Sequence, residues 1–165
     1  MLERLCDATD LKILAVLQKD ARLSNVDIAD QVHLSASPCL RRTRRMEAAG
    51  IIRGYRVDID RNRVGLGITV FAEIKAAGHS RENADMLSAE LAKIPEVVSC
   101  FMVSGQADFL AEIVVENLAA YEQLLSSKLL TLAMVGDVRS NFALRTIKAN
   151  APLPLPDTRV STVER

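Results

Sequence analysis

The sequence contains no tryptophan, only two histidines and three cysteines, and aromatic residues make up 4% of its 165 positions. It lacks any run of about 18 apolar residues, so no membrane-spanning helix is predicted. Cys6, Cys39 and Cys100 are odd in number and never form a C-x-x-C pair, which argues against a disulfide framework and a zinc ribbon. The two histidines fit no metal-ligand spacing. We therefore expect no metal, no cofactor and no membrane partner, and a location in the cytoplasm.

Net charge is also absent, because 21 basic side chains balance 21 acidic ones. The balance is uneven along the chain: residues 1–65 carry 12 Lys/Arg against 9 Asp/Glu, and residues 66–165 carry 9 against 12. Four arginines lie within residues 41–45, and Arg53 and Arg56 follow. Such a cluster on a neutral globular chain is typical of a nucleic-acid-binding patch, although a solvated helix face has the same composition.

Three helices are predicted in the first third of the chain. Asp7 and Ser24 are expected N-cap residues of the first two, because a short polar side chain there accepts a hydrogen bond from a free backbone N–H. Ser37 is expected to cap the third helix, with Pro38 in the first helical position and Gly50 at its end.

Residues 51–57 alternate like a short strand, which completes a winged helix-turn-helix over residues 1–57. At about 100° per residue, the third helix has an outer side with Arg41 and Arg45, opposite an inner side that comprises Leu40, Thr43, Met46 and Glu47. Glu47 is the only acidic residue within this helix that could pair with the arginines. A helix with an arginine face fits the major groove of DNA.

Within that arrangement each candidate has an expected role. Arg41 and Arg45 are expected to read guanine edges, and the flanking arginines of the helix to hold phosphates. The serines before the helix can approach a phosphate through free N–H groups, and the arginines of the strand can touch the DNA backbone. The candidate DNA contacts are Ser35, Ser37, Pro38, Cys39, Arg41, Arg42, Arg44, Arg45, Arg53 and Arg56.

The second half of the chain is predicted to be an α+β unit with the element order βαββαβ. Strands are expected at 68–75, 97–103, 109–115 and 138–148, and helices at 81–93 and 118–130. This order is the ferredoxin-like fold, whose helices cover one face of the sheet. The other face needs a cover, and a second copy of the chain is the simplest one. We expect a linker at 58–66, this domain at 67–150 and a tail at 151–165.

Four segments resemble, in order and position, those of the Lrp/AsnC (feast/famine) transcription regulators. They are Asp10-Leu11-Lys12-Ile13-Leu14, Leu34-Ser35-Ala36-Ser37-Pro38-Cys39-Leu40-Arg41-Arg42, Gly50-Ile51-Ile52-Arg53-Gly54-Tyr55 and Val103-Ser104-Gly105-Gln106-Ala107-Asp108-Phe109. The second is similar to the leucine-responsive branch in particular. The resemblance implies an N-terminal unit that binds double-stranded DNA, and a C-terminal unit that binds an amino acid and forms dimers and often octamers. His33 stands where the turn often holds glycine, and histidine tolerates positive φ better than most residues.

The turn at 104–108 is the candidate effector site. A free amino acid presents an ammonium and a carboxylate together, and Asp108 and the backbone N–H groups near Gly105 can meet both. From the residues alone, an ordinary hairpin turn with Asp108 bonded to its own backbone is the simpler interpretation. The resemblance favours the effector site and adds positions around the last strand. The candidate effector residues are Ser104, Gly105, Gln106, Ala107, Asp108, Met134 and Ser140.

We therefore expect a transcription regulator that is not an enzyme and that binds DNA in response to an amino acid. Two alternatives stay open. Tetrapyrrole decarboxylases of the siroheme type resemble the same two-part architecture, but they need basic and histidine side chains around porphyrin carboxylates, and the second half offers only His79. The other alternative is an amino-acid sensor whose N-terminal unit docks to a protein.

Overall fold

The computed structural model describes residues 5–78 and 80–156, which divide into two compact units. The helical unit extends to Asp58 and includes the segment from Lys148 onwards, and the sheet unit spans Ile59–Ile147. None of the helices in the described ranges is both long and apolar enough to cross a bilayer.

Three helices form the helical unit: α1 Ala8–Leu17, α2 Asn25–Gln31 and α3 Ala36–Ala48. Asp7 and Ser24 cap α1 and α2 as predicted, and each takes part in a capping box with an aspartate three residues on. The helices pack around a small core, which comprises Ile13, Ile28, Ala29, Val32, Cys39 and Met46. The C-terminal segment lies on the same unit, where the Leu153 N–H donates to the side-chain oxygen of Gln18 at 2.6 Å.

The predicted start of α3 is wrong by two residues. Ser35, with extended backbone angles, is the N-cap, so Ser37 lies inside the first turn and Pro38 in the third helical position. Proline costs little there because the first four N–H groups of a helix have no partner within the helix. The helix ends as predicted, with Gly50 at φ +69° directly after the C-cap residue Ala49.

The predicted strand at 51–57 is also absent from the structure. The N–H groups of Ile51 and Ile52 donate to the carbonyl of Met46 and so close the end of α3. Gly54 has φ +146°, and the described chain supplies no partner strand for the residues around it. A strand needs a neighbour to satisfy its backbone groups, and this segment remains a loop.

The sheet unit has the predicted βαββαβ order. It comprises β1 Ile68–Ala76, α4 Arg81–Leu91, β2 Val97–Met102, β3 Phe109–Val115, α5 Leu118–Leu124 and β4 Val135–Phe142, preceded by a 3₁₀ turn at Asn62–Val64. The strands form one antiparallel sheet in the order β2-β3-β1-β4, which confirms the ferredoxin-like fold. Its helix-covered face is a core in which Val70, Ala72, Ile74, Leu87 and Ile113 are fully buried.

Two elements of this unit differ from the prediction. The single helix expected at 118–130 is α5 followed by a π-helical turn at Leu125–Leu129, which places Leu124 and Leu129 in the core and leaves Leu125 half-buried. Strand β4 begins at Val135 and ends at Phe142, not at 138 and 148. Phe142 pairs with Val70, close to the start of β1 at Ile68, so β1 offers no partner for a strand that continues to 148. The last backbone bond joins the Ala143 N–H to the Thr69 carbonyl.

Candidate nucleic-acid interface and effector site

Helix α3 lies with one face in the core of the helical unit. Cys39 and Met46 are fully buried and Thr43 is 9% exposed, with its hydroxyl bonded to the Cys39 carbonyl. The turn between α2 and α3 depends on His33, whose φ of +57° lies in the left-handed region. This confirms the expectation that histidine replaces glycine at this turn.

The opposite face of α3 is open to solvent. It presents the outer stripe, which comprises Ser37, Arg41, Arg44 and Ala48 at spacings of four, three and four residues. Arg41 and Arg44 form no ion pair within residues 5–78 and 80–156. Two guanidinium groups are therefore available on one side of a helix that is anchored by its other side.

Arg42 and Arg45 instead point towards α1. Arg42 Nη1 donates to Asp7 Oδ2 at 2.6 Å and to Asp10 Oδ1 at 2.9 Å, and Arg45 Nη2 donates to Asp10 Oδ2. These four residues are called the Asp10 cluster below. The pKa of Asp7 lies below its ordinary value, first because the Asp10 N–H bonds its carboxylate and then because Arg42 does. The same carboxylates raise the pKa of Arg42.

The predicted roles of the arginines need correction for this reason. The sequence pattern paired Arg41 with Arg45 as base readers, whereas the structure pairs Arg41 with Arg44 on the outer stripe. The acidic partners come from α1, 32 to 35 residues earlier in the chain, and not from within α3. Sequence reasoning missed Asp10 as the partner of Arg42 and Arg45. The signal was present as two aspartates one helical turn apart at the start of α1 in a basic unit.

Cys39 was expected to contact DNA, and this is corrected by its complete burial in the core. Burial also raises the pKa of its thiol. Ser35 remains exposed, and its hydroxyl makes no capping bond. In α1, α2, α4 and α5 the capping side chain accepts from the N–H of the third helical residue, but in α3 that residue is Pro38, which has none. The start of α3 is held from outside by Asn25, whose amide donates to the Ala36 carbonyl at 2.7 Å.

Arg53 and Arg56 lie exposed on the loop that follows α3. Between them, the Tyr55 hydroxyl donates to Glu47 Oε1 of α3 at 2.8 Å. Partial desolvation of this half-exposed ring, together with the bond to Glu47, raises the pKa of Tyr55 to about 12. The bond occupies Glu47, the only acidic side chain of α3, with a neutral partner, so it does not neutralise an arginine.

In the sheet unit, the turn 104–108 joins β2 to β3 beside the end of β1. Asp108 Oδ2 accepts from the Ala76 N–H at 2.8 Å, and the Asp108 N–H donates to the Ile74 carbonyl at 3.0 Å. The Asp108 side chain thus bonds the neighbouring strand and not its own turn, which is closed by the Val103 N–H donating to the Asp108 carbonyl at 2.9 Å. Asp108 Oδ1 accepts no hydrogen bond from the described residues. The backbone N–H groups of residues 104–107 also donate none within that part of the chain. Gly105, with φ +134°, gives the turn its shape.

A cavity of about 580 Å³ opens between this turn and the start of α4. Its lining is apolar at Ala76, Ala84, Met102, Val103 and Phe109, and polar at Ser80, Arg81, Asp85 and Asp108, and it also includes Gly78. Arg81 and Asp85 are highly exposed and pair only loosely, at 3.9 Å. The cavity therefore combines apolar side chains with the half-buried carboxylate of Asp108 and the exposed guanidinium of Arg81.

The remaining predicted effector residues are spread around the same end of the sheet. The Met134 carbonyl accepts from the Ala77 N–H at 2.7 Å, just beyond the end of β1. Gln106 and Ala107 line a shallow depression of about 30 Å³ on the other side of the turn. Ser140 is paired with Ala72 further along the sheet, and its hydroxyl is bonded to the Tyr121 hydroxyl at 2.6 Å. Asp108 alone of the predicted residues lines the large cavity.

The face of the sheet away from the helices carries exposed apolar side chains. Phe71 is 39% exposed and Phe101 59%, and in the strand pairing both lie opposite residues of β3 on that face. Near one end, Arg61 donates to Glu112 at 2.8 Å and Ser99 donates to the other oxygen of the same carboxylate. An exposed apolar patch of this kind is typical of a surface that another molecule covers.

Two family models match the chain. A winged helix-turn-helix DNA-binding model matches residues 7–53, and an Lrp/AsnC ligand binding domain model matches residues 69–153. The second match covers the cavity, the turn and the open sheet face described above.

Individual proteins are similar over nearly the whole chain. A leucine-responsive regulatory protein of Rhizobium meliloti is 39% identical over 142 residues, which cover 86% of this chain and 91% of that protein. The Bkd operon transcriptional regulator of Pseudomonas aeruginosa is 36% identical, covering 90% and 97%. Among solved structures, a transcriptional regulator of Neisseria meningitidis in complex with L-Met has a TM-score of 0.85 at 37% identity and covers 90% of this chain and 96% of that one.

Proposed function

The chain belongs to the Lrp/AsnC family of transcriptional regulators, and from this premise we propose that it is a homo-oligomeric, cytoplasmic regulator that binds DNA sequence-specifically and responds to an amino acid. The relatives described above are named as regulators, which leaves the decarboxylase alternative without support. The observation that carries the proposal is the outer stripe of α3, where Arg41 and Arg44 stand unpaired among the described residues above a buried core.

In the proposed complex, α3 lies in the major groove. Arg41 and Arg44 provide the base-edge and phosphate contacts, because guanidinium groups bond guanine and phosphate in a bidentate manner. Ser37 and the free hydroxyl of Ser35 lie at the start of the same helix, and Arg53 and Arg56 on the following loop contact the flanking backbone. Two helical units, one from each copy of the chain and related by a twofold axis, would bind a near-palindromic site.

We propose that a second copy covers the open face of the sheet, where Phe71 and Phe101 are exposed. A homodimer formed in this way buries the apolar patch by the same surface on both partners. Further assembly of dimers, up to an octamer, would then bring several DNA-binding heads together.

We propose that the effector is an amino acid with an apolar side chain. Its ammonium would bond the free Oδ1 of Asp108, and its carboxylate the unpartnered N–H groups of residues 104–107 or the guanidinium of Arg81. The apolar side chain would lie on Met102 and Phe109 in the cavity. The L-Met bound by the Neisseria meningitidis regulator supports this class of ligand.

A thermal-shift panel of L-amino acids tests the proposal, with particle size followed by light scattering. A ligand at about 100 times its Kd stabilises the protein by about 2.7 kcal/mol. Asp108→Asn keeps an oxygen for the Ala76 N–H but removes the negative charge, so we expect it to abolish the shift. Asp85→Asn is the matched control, since it removes an exposed carboxylate from the same cavity. A panel without any shift, or an equal shift for Asp108→Asn and the parent, would contradict the assignment of the effector site.

A further inference from the structure

Asp10 is unusual among the charged side chains of the described residues, because it is the only one that is buried. Its carboxylate accepts three hydrogen bonds: from the Asp7 N–H at 3.0 Å, from Arg42 Nη1 at 2.9 Å, and from Arg45 Nη2. A buried charge is retained only where partners replace its water. Here two of the partners come from the helix that carries the outer stripe.

The Asp10 cluster is electrically balanced, with two carboxylates facing two guanidinium groups. Arg42 keeps 28% of its side chain exposed and Arg45 56%, so both remain near the surface. They are held back by the bonds to α1 and not by burial of their own. Loss of the charge on Asp10 would leave Asp7 to balance both arginines.

We propose that Asp10 is a positioning residue for DNA recognition, which withholds Arg42 and Arg45 from DNA phosphates so that Arg41 and Arg44 are the only arginines of α3 that contact DNA. This inference rests on the proposed function, because it concerns the DNA-binding face. Asp10 restricts the number of cations that α3 offers to any duplex. It thereby lowers sequence-independent binding and leaves the contacts of the outer stripe to discriminate between sites.

The consequence is measurable in the salt dependence of binding. Each phosphate neutralised by a basic side chain releases counterions and contributes a slope of about −0.9 to log K against log salt. If Asp10 loses its charge, Arg42 and Arg45 become available, and the slope should steepen by about 1–2 for each bound head. At a given salt concentration between about 50 and 200 mM, a chain without the Asp10 charge should bind unrelated duplexes more tightly than the parent chain does. The difference in affinity between a specific site and a mixed sequence should therefore become smaller.

The test measures binding of the full chain to a fluorescein-labelled duplex of mixed sequence by anisotropy across that salt range. Asp10→Asn is compared with Asp27→Asn. Asp27 occupies the same capping-box position in α2, but it is exposed and bonds only Ser24. Both variants lose one negative charge from the helical unit and one capping carboxylate. We expect a steeper slope for Asp10→Asn alone, and equal slopes for the two variants overturn the inference.

A second pair of variants decides the matter if Asp10→Asn does not fold. Arg42→Gln and Arg44→Gln remove the same charge from neighbouring positions of α3. For Arg44→Gln we expect the salt slope to become less steep by about 0.9 for each bound helical unit. For Arg42→Gln we expect an unchanged slope. If both variants reduce the steepness of the slope equally, the positioning role of Asp10 is overturned, whereas the proposal that the chain binds DNA is unaffected. If the parent chain shows no salt-dependent binding, the proposed function fails, and the inference with it.

Discussion

Met46→Ala tests how α3 is anchored. Met46 is fully buried in a core of six residues, on the face of α3 opposite the outer stripe. Removing a buried methionine side chain costs about 2–5 kcal/mol, because apolar contacts are lost and the surroundings relax only in part. This is a large fraction of the roughly 5–15 kcal/mol that stabilises an ordinary domain. DNA binding should weaken, since the outer stripe is presented only by a folded helical unit.

Amide hydrogen exchange followed by mass spectrometry can resolve the two units. A loss of about 1.4 kcal/mol raises the unfolding equilibrium constant tenfold. A loss of about 2–5 kcal/mol should therefore make peptides from α1 to α3 exchange about 30- to 4,000-fold faster in Met46→Ala. Peptides from β1 to β4 should be unchanged. Met102→Ala is the control, because Met102 is 63% exposed in the sheet unit. Unaltered exchange in α3, or an equal acceleration of exchange in the sheet, would refute the conclusion that this core anchors α3 without help from the sheet unit.

Three further outcomes are expected. Gly136→Ala should lower the free energy of unfolding by about 1–3 kcal/mol in a denaturant titration, because an added Cβ would lie 3.2 Å from the Ala76 carbonyl oxygen, and an unchanged midpoint would contradict this. Tyr55 should titrate at about 12 by near-ultraviolet absorbance; because its folded pKa is raised, its contribution to stability is complete below pH 10 and lost as the pH rises through about 12. A normal titration of Tyr55, or one unaffected by Glu47→Gln, would dispute the bond between them. Arg41→Ala should reduce discrimination between a selected site and mixed DNA by about 1–3 kcal/mol in competition binding, and an equal loss on both duplexes would assign Arg41 to phosphates alone.

Local signals in the sequence predicted most of the elements. The N-caps Asp7 and Ser24, the stop at Gly50 and the positive φ at His33 all follow from chemistry within a few residues, and the structure confirms each of them. The alternating pattern also predicted β3 at its observed bounds, 109–115.

The differences arise where distant residues decide. Residues 51–57 have a strand-like pattern but no neighbouring strand in the described chain, and β4 ends where β1 no longer pairs with it. Arg45 seemed free from spacing within its own helix, whereas its partner Asp10 lies 35 residues earlier. Helical periodicity places a side chain on a face, but it does not state what another helix brings to that face.

The proline in the first turn of α3 has a consequence for how that helix is built. A serine cap ordinarily contributes about 0.5–2 kcal/mol, and α3 forgoes it because Pro38 offers no hydrogen to Ser35. The first turn of α3 is instead bonded from the neighbouring helix, through the amide of Asn25 on the Ala36 carbonyl. Because Asn25 belongs to α2, a substitution there would loosen the start of the arginine-bearing helix without altering any arginine.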